Sequence, residues 1–148
     1  MNPYANRLSK YEDTAVQTSS PEKLVVLLYE GAIRFLRQAA TATQSRNIEQ
    51  KRQSVDRALA VIQHLQSTLD RDKGGDVAVT LDRLYIYITS RIVEGSGKLQ
   101  VAPFEEAIKL LSTLLSGWEG IANKQPERAV PTTLLAQQAT SQRIQFHG

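Results

Sequence analysis

A Gly-Ser-Gly-Lys run, two histidines and a pair of adjacent glutamates are where chemistry would first be sought in this chain. Gly95-Ser96-Gly97-Lys98 has the ending of a phosphate-binding loop, in which backbone N–H groups and the lysine cradle phosphate oxygens. That motif requires Ser or Thr after the lysine and a glycine five positions before Gly97, and Leu99 and Ile92 stand there instead. His64 lies within a helical pattern, where a phosphotransfer bundle presents its acceptor histidine. Its neighbours Gln63, Leu65 and Gln66 bring no lysine or glycine to steady a phosphoryl group, so an ordinary surface histidine is the better reading. His147 lies in the tail. Glu105 and Glu106 fall in the first turn of a helix, where carboxylates suit the positive end of the dipole. No Glu-x-x-His pair exists to build a di-iron site, and the absence of cysteine removes thiolate zinc sites and disulfides. No nucleophilic triad can be assembled from these groups. The sequence therefore predicts no catalytic centre, no metal and no cofactor, and reads as a non-enzyme.

The elements that would position such groups are helical. A chain of 148 residues suits one domain with a real core. Ser19-Ser20-Pro21-Glu22 reads as a helix start, with Ser20 as cap and Pro21 at the first helical position. The first helix is predicted from Pro21 into Ala39–Thr43, interrupted by Gly31, where a close backbone approach or a groove would explain a glycine. A second begins near Asn47, with Gln50 reaching back as in a capping box, and its seam is Ile48, Val55, Ile62 and Leu69 with Ala58 and Leu65. Arg46, Lys51, Arg52 and Arg57 are assigned to its solvated side. Asp70 to Gly75 then ends it. The third helix, Asp76 to Glu94, carries Val77, Leu81, Leu84, Tyr85, Ile88 and Ile92, and Gly95-Ser96-Gly97 closes it. The fourth starts at Pro103 with the seam Phe104, Ile108, Leu111, Leu115, Trp118 and Ala122. The expected fold is all-α: an antiparallel up-and-down four-helix bundle over 19–123, an N-terminal arm over 1–18 and a polar linker and tail over 124–148 with a short helix.

The formal charge of +3 and pI near 9.3 are mildly basic, but acids are interspersed and no basic block forms, so nucleic acid is not implied. No signal-peptide core and no run near the ~20 apolar residues of a membrane span are present. The expectation is a cytoplasmic protein without membrane insertion.

Apolar side chains exceed what one seam per helix needs. Val25, Val26, Tyr29 and Ile33 lie beyond the Leu24, Leu28 and Phe35 side, and Tyr85 and Tyr87 lie beyond Leu84 and Ile88. Surplus of this kind marks either a partner groove for an amphipathic helix or a broader core or homodimer face, and both readings stay open.

Four stretches in order carry a family resemblance: Ser20-Pro21-Glu22-Lys23-Leu24 with Leu27 to Ala32; Asp72-Lys73-Gly74-Gly75-Asp76; Leu84-Tyr85-Ile86-Tyr87 with Arg91-Ile92; and Glu105-Glu106 leading to Trp118. Over residues 8 to 122 the chain resembles the FliS-type flagellar secretion chaperones, which bind the disordered C-terminal segment of flagellin. The resemblance implies an antiparallel helical bundle that keeps flagellin monomeric in the cytoplasm until type III export, with the export apparatus or other flagellar regulators as further partners. It implies flagellin-binding grooves near Leu24, Leu28, Leu84, Tyr85, Tyr87 and Ile88, and an N-terminal arm, anchored by Leu8 and Tyr11, that covers part of the groove when empty. Glu94-Gly95-Ser96-Gly97 departs from the family pattern, so the link to the fourth helix is expected to differ. Thr132 to Ala139, with Leu134 and Leu135, resembles the C-terminal segment of flagellin itself, so the tail is read either as a client mimic that can occupy the groove in cis or as a chance match in a low-complexity segment.

Overall fold

In a computed structural model, residues 20–124 are described, and they form four helices joined by short turns. These are α1 (Pro21–Gln44), α2 (Ile48–Ser67), α3 (Arg71–Lys98) and α4 (Val101–Lys124). The helices pack as an all-α four-helix bundle. The predicted arm with Leu8 and Tyr11 and the tail with Leu134 and Leu135 lie outside the described residues.

α1 is the centre of the packing, because it lies extensively against both α2 and α4, whereas α3 makes sparser contact with α2 and α4. Leu28, Tyr29, Ala32, Ile33, Phe35, Leu36 and Ala39 are all buried along α1. A helix with neighbours on two sides must be apolar round most of its girth. Much of the surplus apolarity of α1 is thus core, and Gly31 is buried within it.

The helix ends explain several departures from the predicted boundaries. Ser20 supplies its carbonyl, not its hydroxyl, to the first turn, accepting from the Lys23 and Leu24 N–H groups at 3.1 and 3.2 Å. Asn47 caps α2 as expected, its Oδ1 accepting from the Gln50 N–H at 3.1 Å, but the Gln50 side chain turns forward to Ser54 Oγ at 3.4 Å. Asp70 caps α3 through the Asp72 and Lys73 N–H groups, both at 3.1 Å. Gly74 and Gly75 therefore sit inside the first turn of α3, and Gly75, at φ 54° and ψ −131°, breaks that turn before regular helix resumes at Asp76. At its other end α3 continues through Gly95-Ser96-Gly97 to Lys98. It stops because Leu99 adopts left-handed φ 54° and ψ 48° and the Gln100 N–H returns to the Gly95 carbonyl at 3.0 Å. Gly95 sits in close packing, since a Cβ there would lie 3.0 Å from Gln100 O and 3.2 Å from Pro103 Cβ. α4 begins at Val101, two residues before Pro103, whose missing N–H is no loss in a first turn.

Two seams also differ. In α2, Val55, Ala58, Ile62 and Leu65 are buried as predicted and Val61 joins them, but Ile48 is 48% exposed above the bundle's end. In α4 the buried face is Phe104, Ala107, Leu111, Leu114 and Trp118, with Ile108 and Leu115 half-buried at its edge. Lys51, assigned to the solvated side of α2, is buried and donates through Nζ to the Ser96 carbonyl and hydroxyl, each at 3.0 Å. A cation there suits the negative end of the α3 dipole.

Candidate apolar groove between α3 and α4

Sparse contact between α3 and α4 leaves a trough of about 500 Å³. Its floor is Leu81 and Leu114, both buried, and its walls are Leu84 and Leu110 with Thr80, Arg83, Tyr87 and Thr113 along the rims. Arg83 brings the one formal charge of this lining. Such a surface suits an amphipathic segment that offers aliphatic side chains and few charges. A second hollow of about 460 Å³ over the α1–α2 turn is lined by Arg34, Arg37, Gln38, Thr41, Ser45, Asn47 and Gln50 with Ala42, and offers no large aliphatic anchor.

Side chains from both walls close the trough toward the α3–α4 turn. Tyr87 Oη donates to Glu106 Oε2 at 2.7 Å, and Arg91 Nε donates to Glu106 Oε1 at 2.5 Å. Arg91 also donates to Glu94 at 2.6 Å, and Lys98 reaches the other Glu94 oxygen at 3.5 Å. The hydrogen bonds from Tyr87 and Arg91 hold the Glu106 carboxyl below the usual carboxylate range, and Arg91 lowers Glu94 likewise. The Tyr87 phenol is raised, chiefly because its proton is shared with Glu106.

Behind the trough, a buried polar link joins three helices. The hydroxyls of Tyr29 on α1 and Tyr85 on α3 hydrogen-bond to each other, and Trp118 Nε1 on α4 donates to Tyr29 Oη at 3.3 Å. The tyrosine rings are tilted at 39° with centroids 6.5 Å apart. Burial raises both phenols, Tyr29 to about 12.

The residues singled out by resemblance divide into three sets. Leu84 and Tyr87 line the trough, Tyr87 with 45% of its surface free. Leu28, Tyr85 and Ile88 are buried in the core, Tyr85 and Ile88 being carried on the inner face of α3. Leu24 lies half-buried on α1, which does not line the trough. Sequence reading missed the α4 wall. Its signal is the doubled leucines Leu110-Leu111 and Leu114-Leu115, since a single seam uses one of each pair. It also missed Val79, Ile86 and Val93, spaced seven apart and exposed on the outer face of α3. His64 is half-buried on α2 and interacts with another group, unlike a presented phosphoacceptor. Among the described residues no cluster of His, Cys, Asp or Glu suits a metal, and no helix is long and apolar enough to cross a membrane.

Known proteins resemble this chain in sequence. The model of a family described as flagellar protein FliS matches residues 4–125. Flagellar secretion chaperone FliSB of Pseudomonas aeruginosa is 33% identical over 111 residues, 75% of this chain and 88% of the relative. Flagellar secretion chaperone FliS of Vibrio cholerae is 33% identical over 109 residues, covering 74% and 80%. Flagellar secretion chaperone FliS of Bacillus subtilis is 27% identical over 118 residues, covering 80% and 84%.

Proposed function

The chain belongs to the FliS family, a family of flagellar export chaperones and not of enzymes, and on that premise we propose that it holds the C-terminal segment of flagellin in the α3–α4 trough. The observation that carries this reading is the trough's lining, aliphatic on floor and walls with Arg83 as its one charge. Leu84, Leu110 and Leu114 offer sockets for the client's aliphatic side chains, and Tyr87 offers an exposed ring to cover them. Leu28, Tyr85 and Ile88 support the trough from within the core, and Leu24 serves a separate client helix on α1.

Binding of this kind is coupled to folding. The client loses conformational freedom as it docks, at a cost of about 2–5 kcal/mol or more against the burial of about 1,000–3,000 Å². The net affinity is then releasable without nucleotide, which suits handover to the export apparatus. In this reading the complex keeps flagellin monomeric in the cytoplasm.

Isothermal calorimetry of the full chain with a flagellin C-terminal peptide tests the proposal. The expected result is saturable binding with a negative heat-capacity change, weakened at least tenfold by Leu84→Asp. No binding, or binding indifferent to Leu84, overturns it.

A further inference from the structure

The α3–α4 trough is closed toward one end by Tyr87 and Arg91 on Glu106, and its Thr80–Thr113 end opens toward the last turns of α4. Leu114 on its floor precedes Lys124 by about ten residues, so α4 carries the chain about 15 Å past that point. A return over this distance needs about five extended residues, and Gln125 to Pro131 supplies them. From Val130 to Gln142 no side chain is charged, and were this stretch to dock as a helix opened by Pro131, Leu134, Leu135 and Ala139 would fall toward one side of it. The trough from Thr80 to Tyr87 is about 10 Å long, or two helical turns, which leaves room for the ~7.5 Å that Leu134 to Ala139 would cover as a helix. The family match covers residues 4–125, so this segment lies outside the matched pattern.

We propose that residues 130–142 dock in cis in the α3–α4 trough, with Leu134 and Leu135 seated against Leu81, Leu84 and Leu114. Residues 1–19 are the less suited occupant. They join α1, which does not line the trough, whereas residues 125–148 leave from the helix that forms its wall. Neutral aliphatic groups meet a lining with a single charge, so little desolvation opposes the contact. The docked segment excludes other ligands until they displace it, and it does so whether or not the trough receives flagellin.

The chain has no cysteine, so a Ser141→Cys variant of the full chain takes one spin label cleanly. Amide signals of Thr80, Leu84, Tyr87, Leu110 and Thr113 should broaden, persist on tenfold dilution, and recover when Leu134→Asp and Leu135→Asp are added. In parallel, a peptide of residues 130–148 should bind the Leu134→Asp/Leu135→Asp chain at least tenfold more tightly than the unaltered chain, because a tethered segment competes at roughly millimolar effective concentration. Broadening on the Val79, Ile86 and Val93 face, broadening only between molecules, or equal peptide affinities overturn the proposal. So does broadening of the trough signals by a label at Ser9→Cys and not at Ser141→Cys, which would give the trough to the N-terminal segment. Loss of flagellin binding with these results intact would remove the proposed function and leave the cis contact standing.

Discussion

The Tyr29–Tyr85–Trp118 link can be taken apart one hydroxyl at a time without changing the shape of the core. Tyr85→Phe leaves the Trp118 bond to Tyr29 in place and removes one partner from a Tyr29 hydroxyl that is wholly buried. The expected cost is about 1–2 kcal/mol, the price of one buried hydroxyl left with a partner missing. Tyr29→Phe removes the atom shared by both bonds, so the Tyr85 hydroxyl and the Trp118 N–H are both stranded and the cost rises to about 2–4 kcal/mol. In the double variant only the Trp118 bond remains to be lost by the second change, so the two costs overlap by about 1–2 kcal/mol. Urea denaturation followed by the fluorescence of Trp118, the single tryptophan, measures all four proteins. A pH series adds a second readout. An unfolded tyrosine titrates near 10, whereas Tyr29 is pushed up to about 12, so the folded state favours the neutral phenol. That contribution is complete below pH 10 and falls as pH rises from 10 through 12, by about 3 kcal/mol in all, and Tyr29→Phe should lack it. Additive costs within about 0.5 kcal/mol, or equal small losses for the two single variants, would refute the shared-hydroxyl geometry.

Other perturbations address the trough and the turns. Tyr87→Ala should weaken peptide binding about tenfold by removing a half-exposed ring, whereas Tyr87→Phe should keep most of the affinity because the ring remains; calorimetry on both variants separates ring from hydroxyl. Glu106 and Glu94 are held below the usual carboxylate range, so their hydrogen bonds with Tyr87 and Arg91 persist above it and are lost as pH falls through the lowered values. The Arg91 Nε–H signal should follow that step, and Glu106→Gln should remove its Glu106 part. Leu99→Gly should stabilise the chain by about 0.5–1 kcal/mol in thermal unfolding, because a left-handed leucine is strained and exposed. Gly95→Ala should destabilise it, because Gln100 O and Pro103 Cβ must give way.

Local signals made most of the bundle legible in the sequence. Pro21 marked the start of α1, Asn47 capped α2, and aliphatic residues at helical spacing drew four helices. What periodicity does not carry is the number of neighbours a helix has. Tyr29 and Ile33 looked surplus because one seam was assumed, yet α1 packs on two partners. The same blindness hid the α4 wall. Leu110 and Leu114 stood beside the predicted seam, and only the placement of α3 shows that they face a gap. Gly74 and Gly75 looked like a stop signal, but Asp70 had already capped the next helix, so they belong to its first turn. Lys51 was read as solvated because lysines mostly are, and its burial depends on Ser96, far away in the chain.

The Lys51 contact is also one of several that hold α3 in place. Near its last turn α3 is pinned to α2 by Lys51 on Ser96, and lower down to α4 by Tyr87 and Arg91 on Glu106. At the opposite end stands Gly75, whose backbone has already left the helical path. Between the two, Gln66 Nε2 on α2 donates to Asp82 Oδ1 at 2.9 Å, so α3 is fastened to α2 beside the trough's Thr80 end as well. The polar ties that cross the trough itself gather at Glu106, so an occupant meets a polar clasp at that end and aliphatic walls at the other.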